Sequence, residues 1–185
     1  MAKWTFDQAH SYAAFSVRHM MVTTVRGQFN APVTGTIDFD PANPAASSVE
    51  ATIDATSIET GVADRDNHLR SADFLDVATF PTITFKSTKV APTSDSTAKI
   101  TGDLTVHGVT KSVVLDTEFL GTTTSPFDGK ARAGFSATTS INREDFGLTW
   151  NVALEAGGVL VGKDIKIFLD VEALPVAESV EAAKA

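Results

Sequence analysis

A chain of 185 residues, 43% hydrophobic and 21% charged, has the length and balance of one folded domain and is too apolar to remain disordered. Its formal charge of −8 repels phosphate backbones, and no local basic patch offsets it, so nucleic acid is not an expected partner. The absence of cysteine removes disulfides, thiolate nucleophiles and Cys-ligated metals.

The opening stretch, MAKWTFDQAHSYAAFSVRHM, has no uninterrupted apolar core of the signal-peptide kind, and no apolar run anywhere is long enough to cross a bilayer as a helix. The expectation is a soluble cytoplasmic protein, or a periplasmic one if a leader has been removed. From residue 13 a period-two pattern begins, with Ala13, Phe15, Val17, His19 and Met21 on one face. Residues 23–31 read as its partner strand. Val33, Gly35, Ile37 and Phe39 then alternate with Thr34, Thr36 and Asp38, and Val49, Ala51, Ile53 and Ala55 alternate with Ser48, Glu50, Thr52 and Asp54.

The rhythm stops between Ser57 and Thr79. Here lies RDNHLRSADFLD, Arg65 to Asp76, which reads as a helical excursion within residues 60–76. Its charges either pair locally, as helix neighbours three and four apart do, or place Arg65, His68 and Arg70 at the mouth of whatever the strands enclose. Alternation then resumes at Ile83 and Phe85, at Ala98 through Val106, at Val113 through Phe119, at Ala131 through Ala137, and at Ile165 through Ala173. A second interruption runs from Asn142 to Gly158, where Asn151–Ala156 is expected to make a helical turn ended by Gly157-Gly158. The domain is placed at residues 1–174, with a short polar tail at 175–185 expected to fray.

These rows amount to about eight or nine strands, mostly joined by short Gly, Pro, Asn and Asp turns, hence an all-β antiparallel architecture. A sheet with one apolar face must pack on a second sheet or close on itself. Many inward positions are small, among them Gly35, Ala51, Gly102, Ala133 and Ala137, which favours a barrel with space inside over a filled core. Parity places Phe15, Val17, Phe29, Ile37, Ile53, Phe85, Leu104, Phe135 and Ile167 on the lining. Twelve Phe against one Tyr and two Trp suit an apolar ligand better than a sugar.

No catalytic or metal motif emerges. The four histidines, His10, His19, His68 and His107, fall in separate segments without ligand spacing, and neither a GxSxG nor a phosphate loop is present. The expected site therefore has no catalytic residue, no metal and no cofactor. His19 is either a satisfied core residue or a hydrogen-bonder within the pocket.

Five ordered blocks carry a resemblance: residues 4–29, 51–76, 80–88, 102–115 and 134–151, including VRGQF, DNHLRSADFLD, FPTITFKST, GDLTVHGVTKS and INREDFGLTWN. Over these the chain resembles the YceI-like polyisoprenoid-binding proteins. The resemblance implies an extended, eight-stranded, lipocalin-like antiparallel barrel around an elongated apolar cavity that binds, sequesters or transports a long isoprenoid lipid, of quinone or polyprenyl phosphate type. His19, Arg65, His68 and Arg70 are then the head-group candidates, and a homodimer is a possible assembly. Two alternatives stay open: an enzyme acting on such a lipid through His68 with Asp66 or Asp73, and a ligand-free structural β-domain with a packed core.

Overall fold

The computed structural model describes residues 2–176, and the expected fraying of 177–185 lies outside the described residues. The strands are β1 (Ala2–Phe6), β2 (Tyr12–His19), β3 (Thr23–Phe29), β4 (Thr34–Phe39), β5 (Ser48–Asp54) and β6 (Ile58–Glu59), followed by the helix α1 (Ala63–Arg70). Then come β7 (Thr82–Pro92), β8 (Thr97–Val106), β9 (Val109–Thr124), β10 (Ala131–Asn142) and β11 (Val161–Pro175). Every pairing is antiparallel, and β1 bonds to both β4 and β11, which closes the sheet.

Eleven segments make eight staves because three staves are broken. β1 and β2 run one after the other along β11, β4 and β3 along β1 and β2, and β5 and β6 along β4 and β3. Each break lets a stave bend as the sheet curls shut. The first segment, β1, is too short to stand out as alternation, yet it supplies Trp4 and Phe6 to the core.

Up-and-down order sends the connections to two ends. Residues 20–22, 60–81, 107–108 and 143–160 gather at one, and 40–47, 93–96 and 125–130 at the other. The core is accordingly split in two. Trp4, Phe6, Ala13, Val33, Ile37, Ala133 and Ala173 pack toward the second end, whereas Ala55, Ile58, Leu75, Ile83, Leu104, Val106 and Phe146 fill the first.

One expectation needs correction. Asn151–Ala156 is not a helical turn: Ala153 bridges Val159, and the Leu154 amide donates to Gly158 O at 3.1 Å. Gly157 and Gly158 (φ 88° and 92°) turn this small β-loop, since the left-handed conformation that ends a helix also reverses a strand. The helical turn of this connection is instead Arg143–Phe146, with the Asn142 side chain accepting from the Glu144 amide and Gly147 at φ 78° ending it. At its far end β11 runs to Pro175, and the Val176 amide donates to Lys3 O at 2.8 Å.

Candidate functional site

Inward-facing side chains of the staves enclose a cavity of about 370 Å³ running most of the length of the barrel. Pockets of about 300–1,000 Å³ hold small-molecule ligands. Phe15, Val17, Phe29, Ile37, Ile53, Phe85, Leu104, Phe135 and Ile167, the residues placed inside by parity, all line it. Only Ile37 and Leu104 of these are fully buried; the other seven keep accessible area although they point inward. That area faces the lumen, so the interior is hollow rather than filled.

The small inward residues do three different things. Ala133 and Ala173, both 0% exposed, are packed into the core beside Trp4 and Phe6. Gly27, Gly35 and Gly102 make room for the rings of Phe15, Phe6 and Phe85, whose atoms would stand under 3 Å from a Cβ there. The remaining space is left by Ala51, Ala98 and Ala137, which border the cavity directly. Phe39, Phe119 and Phe135 form a three-ring cluster in its wall, with centroids 5.0–5.3 Å apart.

One end of the cavity is shut. Phe74, Leu75, Arg143 and Phe146 are buried across it, and α1 with the segment that follows covers the gap between β6 and β7. At the other end the lining reaches Pro41, Pro44, Ser47 and Ser94–Thr97, where the connection 40–47 faces the turn 93–96. This is the mouth. Its wall carries Asp95, and Arg143 at the closed end is the other charged residue on the lining.

The polar residues of α1 tie the closed end together. Asp66, 5% exposed, accepts from the Thr60 amide at 2.8 Å and from the Thr60 hydroxyl. Arg65 donates to Thr60 Oγ1 and O at 2.6 and 3.0 Å, and Arg70 to Thr56 O and Ile58 O at 2.7 and 2.6 Å. His68 Nε2 lies 2.9 Å from Asp73 and packs edge-on against Phe74 and Trp150. Arg65, His68 and Arg70 thus fasten the plug from outside, and His19 ends β2 opposite Thr23; none of the four lies on the lining. Among the described residues the lining charge at this end is Arg143, a residue that no sequence motif singled out.

Near the mouth, Asp7, His10 and Glu172 bring their ligand atoms within 4.8 Å of one another. These groups are already engaged: the Ala9 amide donates to Asp7 at 2.9 Å, and Arg132 Nε stands 2.9 Å from Glu172. The trio reads as an ion-pair network rather than a vacant metal site. No helix of the described residues is long and apolar enough to cross a membrane.

Closed antiparallel staves around a long apolar lumen define the lipocalin-like class of barrel. A YceI-like domain matches residues 4–173, and the chain belongs to that family. A UPF0312 protein of Staphylococcus aureus is 42% identical over 170 residues, spanning 90% of this chain and 94% of its own. The crystal structure of Burkholderia cenocepacia BcnA superposes with a TM-score of 0.77 at 23% identity, covering 90% of this chain and 98% of that one. The YceI protein of Campylobacter jejuni gives 0.70 at 34%, covering 85% and 88%. A polyisoprenoid-binding domain from Saccharophagus degradans gives 0.66 at 15%, covering 95% and 99%, a likeness of fold alone.

Proposed function

We propose that this barrel binds and carries a long-chain isoprenoid lipid, holding the chain along its lumen. The observation that carries the reading is the hollow interior: seven aromatic and aliphatic side chains point inward yet remain accessible. Transfer of an apolar chain into such a wall gains on the order of 25 cal/mol per Å² removed from water, without specific polar contacts. Kinship with the YceI-like family, and the fold shared with a domain that binds polyisoprenoids, support the isoprenoid class. In this reading the barrel binds without converting its ligand, because the His68–Asp73 pair is separated from the lumen by the buried ring of Phe74.

Native mass spectrometry and organic extraction of protein purified without detergent test this directly. The expected result is a co-purified long-chain lipid, or uptake of a long-chain quinone or prenyl phosphate by lipid-free protein. An empty barrel that takes up neither would overturn the reading.

A further inference from the structure

The closed end of the lumen holds a positive charge that no carboxylate of the described residues pairs with. Arg143 is 2% exposed and borders the cavity. Its Nε donates to Gly162 O at 2.9 Å, and its two terminal nitrogens donate to Leu148 O at 2.5 Å and Val161 O at 3.3 Å. A guanidinium has five N–H groups, so one on each terminal nitrogen has no acceptor among the described residues. The adjacent Glu144 does not serve, because it bonds Lys163 at 3.0 Å. Burial pushes the Arg143 pKa below its ordinary value, with Glu144 acting in the opposite sense, yet a guanidinium stays protonated.

Three carbonyls explain Arg143 as a strut for the connection 143–160. The Phe74 ring, its centroid 6.0 Å from the guanidinium carbon, faces the charge, but the two spare donors are left unused at the one place where an apolar tube ends. We infer that Arg143 is a head-group receptor: a long-chain ligand enters head first, and an oxygen acceptor on its head takes the unused N–H groups. A carboxylate, a phosphate and a quinone carbonyl share that chemistry. The tail then lies toward the mouth, where Asp95 disfavours an anionic head. This inference rests on the lumen holding a long apolar chain.

Two probes separate the inference from that reading: cis-parinaric acid, a polyene with a carboxylate head, and diphenylhexatriene, a polyene with none. Arg143→Met should weaken the acid about tenfold or more, the scale of one charge-assisted hydrogen bond, while diphenylhexatriene stays within about twofold. Arg143→Lys should restore part of the loss. Diphenylhexatriene failing to enter the wild-type barrel would overturn the lumen reading itself. If it enters, and Arg143→Met binds the acid as wild type does, only the head-first placement falls. Should Arg143→Met not fold, ¹⁵N spectra of the wild-type guanidinium decide: the acid is expected to shift the Arg143 resonances and diphenylhexatriene to leave them, and unmoved resonances with bound acid would overturn the inference.

Discussion

The ring of Phe85 occupies the space a side chain at Gly102 would need: a Cβ there would stand 2.4 Å from Phe85 Cζ and 2.6 Å from Lys86 O. The ring can swing, but the backbone oxygen cannot. Gly102→Ala is expected to destabilise the barrel by about 1–3 kcal/mol, the usual cost of overpacking. Urea denaturation measures it, and a midpoint unchanged from wild type would show the wall to be looser than these distances imply.

Ala137 pairs with Thr117 and Leu169 and borders the cavity. In a filled core Ala137→Phe would cost about as much as any overpacked site, but against open space the new ring finds room. The expected outcome is stability within about 1 kcal/mol of wild type together with loss of most lipid uptake. Calorimetry and a binding titration on the same sample check both halves.

Removing the acceptor that organises the plug, or removing its histidine, should cost stability. Asp66→Ala leaves the Thr60 amide without its partner and is expected to cost about 1–3 kcal/mol. His68→Ala loses edge-on contacts with Phe74 and Trp150, worth about 0.5–1.5 kcal/mol, and should leave lipid affinity within about twofold. A collapse of affinity in His68→Ala at unchanged stability would mean that the lumen extends behind Phe74.

Acid should loosen the mouth end. The hydrogen bond from Arg132 and the Lys130 amide hold the Asp128 carboxyl at about 2, against an ordinary 3.8. At Asp7 burial alone would raise the pKa, but the Ala9 amide, His10 and Arg132 together lower it. A carboxyl with a depressed folded pKa stabilises the fold above its unfolded value and loses that contribution as pH falls through the folded value. Asp128 therefore contributes fully above about pH 4 and nothing below about pH 2. Asp128→Asn should lose less of its urea midpoint than wild type between about pH 5 and pH 2. Equal losses would uncouple this pair from folding.

Parity made the lumen legible because side chains along a strand alternate whatever the tertiary structure does, so the inward set from Phe15 to Ile167 follows from the backbone alone. The broken staves were not legible: nothing in residues 7–11 or 30–33 distinguishes a bend within a stave from a turn between two. Arg143 escaped for a related reason. Beside Glu144 and Asp145 it reads as part of a solvated turn, and its burial depends on Leu148, Val161 and Gly162 folding back over it. Asn142 and Gly147 were signals for the turn itself, but the Gly157-Gly158 pair drew the helical reading ten residues too late. Arg65 and Arg70 looked available because their acceptors are backbone carbonyls, which no side-chain pattern advertises.

Trp4 pairs with Pro175, so the first and last strands meet along a seam of three residue pairs. Such a ring has no structural starting point. Opening the chain between Ser94 and Asp95 and joining residues 176 and 2 with a short linker would keep every stave beside its neighbours while turning the most distant contact in the sequence into a local one. The same barrel should then form by a slower route, because the β7–β8 hairpin, eight residue pairs in place of three, would become the seam that a long loop must close.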